Sequence, residues 1–367
     1  MLKRIFLFLL IGISSNAFSQ NKTLSNQAEI SILNCGLGNE SYSLYGHTAL
    51  RVKDDSQNLD VVFNYGTFDF NTPNFILKFI KGDLQYFVSA YPYADFEYSY
   101  QYEQRSIYEQ KLNLTQVQKQ ELFDKVYNSL YSEEKYYTYK FIDRNCTTMV
   151  IDKTNSTIKN NTIKSIKPIT KTYREVLFPY QKEHFFLNLG INIIFGTKVD
   201  QPAEKLFLPL DLIASLEQNE SLAQPKVTLY EAPKNNFTPS LFDSIYTIII
   251  VLGLIVLARK NWLTNTYFFI LGTMGIFFCL VGFYSLHEEV LWNYNALLFN
   301  PLYLVLGFFI IKKQASRIKL IAKILFVMHL VYLAIMLNKI HLGIVVPFLV
   351  ANLVLLFQIL RKKILNS

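Results

Sequence analysis

After Phe242 the chain turns into five long apolar segments, at about 243–258, 265–286, 294–311, 318–337 and 341–360. Each is near the ~20 residues that a helix needs to cross hydrocarbon, so this part is expected to form an all-α transmembrane bundle of about five helices. The linkers alternate in charge. Arg259-Lys260, Lys312-Lys313 with Arg317 and Lys319, and Arg361-Lys362-Lys363 follow the first, third and fifth segments. His287-Glu288-Glu289 and Asn338-Lys339 follow the second and fourth. Basic clusters mark cytoplasmic loops, so residues 20–242 are expected outside and the C-terminus inside.

The N-terminus supports that orientation independently. Lys3 and Arg4 precede an apolar core from Ile5 to Ile13, and Ala17-Phe18-Ser19 has small residues where a leader is cut. Residues 1–19 therefore read as a signal peptide, with an uncleaved anchor as the alternative. The expected domains are 20–242 in the periplasm and 243–367 in the inner membrane. A formal charge of +8 would suit a nucleic-acid partner. Much of it flanks apolar runs instead, so no such partner is expected.

The periplasmic part reads as α+β. Ala28–Asn34, His47–Val52 and Leu59–Tyr65 look like strands, and Lys53–Asn58 like a turn. Asn74–Lys81 reads as a short helix, and Gln85–Ala90 and Ser106–Asn113 as extended. Thr115 with Gln118 resembles a capping box opening a helix to about Tyr131. Residues 153–170, rich in Lys, Asn, Thr and Ser, read as a surface loop. The aromatic run Tyr91–Tyr102 reads either as an interfacial segment or as a core or edge strand.

The three cysteines are Cys35, Cys146 and Cys279. Cys279 lies in an apolar segment and reads as a packing residue. Cys35 and Cys146 are either a disulfide or one packing and one reactive thiol. Cys146 follows Asp143 and Asn145, either of which suits a helix N-cap. A thiol at a helix N-terminus meets free N–H groups and the positive end of the dipole, which lower its pKa. Its bland reading is a buried packing cysteine.

A thiol nucleophile needs a base, and only His47 and His184 lie in the exported part. His47 starts a strand behind Gly46, which would keep access open. A base also needs an orienting partner, and one lies on the strand expected to pair with that of His47. Asn64 is the candidate and Tyr65 its rival, since one residue of register changes the face. Cys35 reads as packing or substrate-lining. Glu103 and Arg105 are candidates for a pair near the site, and His287, Glu288, Asn293 and Asn295 for receiving a lipid head group at the membrane face. No Gly-rich phosphate loop, zinc-ligand cluster or Ser elbow appears, so neither metal nor cofactor is expected.

The order His, polar strand residue, helix-capping Cys resembles the permuted papain-like (NlpC-like) group that includes lecithin:retinol acyltransferase. Gly46-His47-Thr48-Ala49-Leu50-Arg51-Val52, Phe63-Asn64-Tyr65-Gly66-Thr67-Phe68-Asp69-Phe70 and Leu112-Asn113-Leu114-Thr115 resemble more closely the Lnb family of Bacteroidota, as do Asn145-Cys146-Thr147-Thr148 and Phe207-Leu208-Pro209. The resemblance covers about 28–216. It implies a lipoprotein N-acyltransferase with Cys146, His47 and Asn64 in the catalytic site. The implied donor is a membrane phospholipid, the acceptor a diacylated lipoprotein, and the intermediate a thioester. The alternatives are a cysteine amidase or peptidase acting on cell wall, since the papain-like fold carries both chemistries, and a non-catalytic membrane sensor.

Overall fold

The computed structural model describes residues 22–159, 162–165, 170–233 and 240–361. The proposed signal peptide, 1–19, and Lys362-Lys363 lie outside them.

Seven antiparallel strands form one sheet in the order β6-β4-β3-β2-β1-β5-β7. They are β1 (Glu29–Cys35), β2 (His47–Asp54), β3 (Leu59–Thr67), β4 (Gln85–Pro92), β5 (Ile107–Lys111), β6 (Tyr136–Thr138) and β7 (Val227–Tyr230). The five expected strands are all present within one or two residues. Alternation assigns the faces. Ile30, Ile32, Leu50, Val52, Phe63 and Tyr65 point to one side, into the larger core. That core is closed by α3 (Gln116–Ser129) and α4 (Cys146–Ile158), through Leu122, Phe123, Val126, Met149 and Val150. Leu33, Cys35, Ala49 and Val62 point to the other side, against Phe96 of α2 (Tyr93–Tyr102).

Two local expectations change. The aromatic run is mostly the helix α2, not a strand, because Phe96 and Tyr100 fall one turn apart and both pack onto the sheet. The supposed loop from 153 begins as helix, since α4 continues to Ile158 and buries Thr154, Thr157 and Ile158. A short helix α1 (Phe75–Lys81) follows β3, as expected.

Beyond the sheet come α5 (Tyr173–Leu177), α6 (Phe185–Ile194) and α7 (Pro209–Glu217), then α8 (Ile245–Ala258), α9 (Asn261–Tyr284), α10 (Leu302–Ile311), α11 (Ala315–Met336) and α12 (Leu342–Arg361). Among the described residues, four segments are long and apolar enough to cross a membrane: Asn261–Tyr284, Glu288–Ile311, Ala315–Met336 and Leu342–Arg361. The second of these opens with two 3-10 turns before α10. The expected first span is shorter than foreseen. α8 has 14 residues, about 21 Å of helix, and Arg259 ends it in the left-handed conformation.

Contacts show which helix ends face the sheet domain. The residues after α9 bond the end of α1, and Lys339, after α11, pairs with Asp200 at 3.3 Å. The basic residues Arg259, Lys260, Lys312 and Lys313 therefore sit at the opposite ends. α6 belongs to the bundle by packing: Phe185, Leu189 and Ile193 join the bundle core although they precede residue 243.

Candidate active site

α4 begins at Cys146 because Asn145 caps it. The Asn145 side chain accepts the Thr148 N–H at 3.0 Å, and the Thr148 hydroxyl accepts the Asn145 N–H at 2.9 Å. The Asn145 amide also donates to the carbonyls of Phe141 and Phe207, at 2.9 and 3.0 Å, which fixes the cap in the domain. Asp143 is not the cap; it is held by Lys198 and Lys205.

His47, at the start of β2, is near enough to the Cys146 thiol to lower its pKa by charge and hydrogen bonding. Its Nε2 is taken by Oδ1 of Asn64 on β3. The Asn64 amide donates to the Tyr91 hydroxyl at 2.7 Å, so its oxygen is the atom left for the histidine. An amide oxygen only accepts, so Nε2 carries a proton and Nδ1 is the nitrogen left to exchange one. Tyr100 of α2 stacks on the imidazole, with ring centroids 6.4 Å apart.

The thiol is partly exposed and of unusual acidity. Burial raises its pKa, but the charge of His47, the His47 hydrogen bond, the Thr48 N–H and the Thr147 hydroxyl outweigh burial. The net effect lowers it from 9.0 to about 7. Thr48 and Thr147 also bond each other, at 3.0 Å, which ties the two elements that carry the base and the thiol.

Two glycines shape the floor. Gly66 has φ +99°, and a Cβ there would stand 3.6 Å from Cβ of Cys146 and 3.7 Å from Cε1 of His47. Gly46 has φ +82°, and a Cβ there would come within 2.6 Å of the Cys35 carbonyl. Its role is a backbone turn, not the open access expected of it.

The remaining expected site residues fall in three places. Tyr65 is fully buried on the opposite face of the sheet, 3.3 Å from the Ser129 hydroxyl, so it does not line the site. Cys35 is directly across from His47 in the β1–β2 register, yet it is free, fully buried and unable to line a substrate path. Burial pushes its thiol up to about 12, only partly offset by Arg105 and a hydrogen bond to Tyr100. All three cysteines are free, so Cys35 and Cys146 form no disulfide.

Arg105 and Glu103 do pair, at 2.8 Å. Arg105 is buried and lies over the Tyr100 ring at 4.7 Å, so it meets His47 only through that ring. His287, Asn293 and Asn295 are taken up by structure instead of facing a head group. His287 bonds the Phe79 carbonyl at 3.0 Å. Asn293 and the fully buried Asn295 donate to carbonyls at the end of α6, Asn295 also accepting from Tyr332. Glu288 pairs with Lys140 and Lys198. Tyr91, Tyr100, Thr48, Thr147 and Gly66 were missed as site residues. Among the described residues no group of three His, Cys, Asp or Glu is placed to hold a metal.

Residues 15–178 match the family model described as the Lnb N-terminal periplasmic domain. The matched stretch contains His47, Asn64 and Cys146. It supports the Lnb family and, with the four apolar helices, a membrane protein with a periplasmic N-terminal domain. No curated protein and no solved structure matches the chain.

Proposed function

We propose that the protein is a phospholipid-dependent lipoprotein N-acyltransferase of the inner membrane, with a permuted papain-like catalytic domain and a cytoplasmic C-terminus. The observation that carries the reading is a thiol at the first residue of a capped helix, beside His47 and its partner Asn64, in a domain bonded directly to a membrane bundle. A thiolate needs to be populated at neutral pH to attack an ester, and a lipid donor needs a site at the membrane.

In the first step the Cys146 thiolate attacks the ester carbonyl carbon of a phospholipid. A C–S bond forms and the carbonyl becomes an oxyanion. The N–H groups of Cys146 and Thr147, in the first turn of α4 where a helix leaves its donors without an intrahelical partner, are the groups that would receive it. The C–O bond then breaks, the leaving alkoxide takes the proton of the His47 imidazolium, and lysophospholipid departs. In the second step the neutral α-amine of a diacylglyceryl-cysteine lipoprotein attacks the thioester. Nδ1 of His47 takes the amine proton, the C–S bond breaks, and the thiolate is restored with an N-acylated product.

The test is mass spectrometry of a reporter lipoprotein from cells with the wild-type gene, without it, and with Cys146→Ser. A third acyl chain present only with wild type supports the reading. A triacylated reporter in all three strains overturns it, as does wall-peptide release that requires Cys146.

A further inference from the structure

α1 has the sequence Phe-Ile-Leu-Lys-Phe-Ile-Lys; none of its side chains is fully buried, and of its apolar ones Phe75 packs, partly buried, against the larger core. A helix of seven residues has little stability of its own and normally forms because an apolar face is packed. Here Ile76 is 70% exposed, Leu77 59% and Phe79 49%, with Phe70 of the preceding loop at 67%. A contiguous apolar patch of this kind marks a partner.

The surroundings identify the partner. The last turn of α1 is bonded to the residues that leave the span α9. The Ser285 hydroxyl donates to the Ile80 carbonyl at 2.9 Å, the Leu286 N–H to that of Lys81 at 2.6 Å, and His287 bonds that of Phe79. The helix therefore lies where a membrane-crossing segment ends. The bundle surface there is of the same kind: Phe283 is 92% exposed and Trp292 84%. An indole ring such as that of Trp292 settles at the head-group level of a bilayer, and lysine reaches from that depth to phosphate, as Lys78 can.

The patch also continues, ring to ring, to the segment that follows Gly66 at the end of β3. Phe79 stacks on Phe75 at 6.5 Å, Phe75 meets Phe70 at 5.2 Å and Phe68 at 5.8 Å. Phe68 stands two residues beyond Gly66, the floor under Cys146 and His47.

We infer that α1 and the loop before it lie in the periplasmic leaflet of the membrane, and that the Phe79–Phe75–Phe68 ridge is the apolar track by which a lipid acyl chain reaches Cys146. The leaflet contact stands on α1 and the bundle alone; the track rests on the acyltransferase reading.

The experiment uses the full chain in nanodiscs of phosphatidylethanolamine and phosphatidylglycerol. Nitroxides are attached at Ile76→Cys, Leu77→Cys and, as reference, Asp55→Cys, in a background with Cys146→Ser and Cys279→Ala. Asp55 lies in the β2–β3 turn, at the far end of those strands from the thiol. Labels at 76 and 77 are expected to collide more with oxygen than with a nickel chelate, and the label at 55 the reverse. Aqueous behaviour at 76 and 77 overturns the inference, and so does spin–spin broadening between labels, which would assign the face to a second copy of the chain.

For the track, a variant with Ile76→Ser and Leu77→Ser, Cys146 retained, is expected to lose about tenfold or more of its lipid-dependent acylation, since two apolar contacts are removed. Its rate of Cys146 alkylation by iodoacetamide should be unchanged. Membrane-depth signals with undiminished acylation overturn the track. If wild type transfers no acyl group, the acyltransferase reading fails while the depth measurement still decides the leaflet contact.

Discussion

The hydroxyl of Tyr294 in the bundle donates to the carboxylate of Asp200 in the periplasmic part at 2.8 Å. Lys339 pairs with the same carboxylate, and so does the buried Arg174, at 2.7 Å. From Arg174 the contacts continue through Asn192 and Gln181 to the hydroxyl of Tyr45, two residues before His47. The domain is thus docked on the bundle by a buried polar network.

Arg174→Met should be strongly destabilising. It leaves Asp200 buried with fewer partners, and the cost is expected at about 2–4 kcal/mol. That is less than for a carboxylate stranded alone, because Lys339 and Tyr294 remain. Thermal unfolding of the detergent-solubilised chain should show a clearly lower Tm; an unchanged Tm would show that the network contributes nothing net.

Cys146 should alkylate with an apparent pKa near 7, because burial is outweighed by His47, Thr48 and Thr147. The thiolate is the reactive form, so the rate rises with pH and levels off above that value. His47→Ala removes two of the lowering influences and keeps the burial, so the midpoint should move up. Iodoacetamide rate against pH measures this, and identical profiles for wild type and variant would show that His47 does not govern the thiol.

Asn64→Ala should cut turnover about 10–100-fold while leaving the fold intact, the scale seen when a partner that orients a ligand or base is lost. Tyr91→Phe, which removes only the group that orients the Asn64 amide, should give a smaller loss. The check is steady-state acylation with circular dichroism of each variant; equal losses, or none, would contradict this ordering.

The strands and the start of a helix at Cys146 were legible because their signals, alternation over β1, β2 and β3 and cap residues just before the cysteine, are local. Which of Asp143 and Asn145 makes the cap was not, since Asp143 is drawn off by Lys198 and Lys205 from about sixty residues away. The choice between Asn64 and Tyr65 was not legible, since it depends on register. The β2–β3 pairing sets Leu50 opposite Phe63, and that puts Asn64 on the face of His47 and Tyr65 in the core. The roles of Asn293 and Asn295 were hidden for a similar reason. A polar residue at a membrane face looks available until the carbonyls at the end of α6, about a hundred residues earlier in the chain, are seen to use it. The run Tyr91–Tyr102 gave a mixed signal: Tyr91 ends a strand, and Tyr100 belongs to the helix folded back over it.

The most direct test of the central claim is intact-protein mass spectrometry of the purified enzyme incubated with phospholipid alone. Wild type is predicted to gain the mass of one acyl chain on Cys146, with release of lysophospholipid. The adduct should be lost to hydroxylamine and discharged by a diacylated lipopeptide as an N-acylated product. Cys146→Ser should form no such thioester. No lipid-dependent mass gain on Cys146, together with Cys146-dependent cleavage of peptidoglycan, would contradict the account.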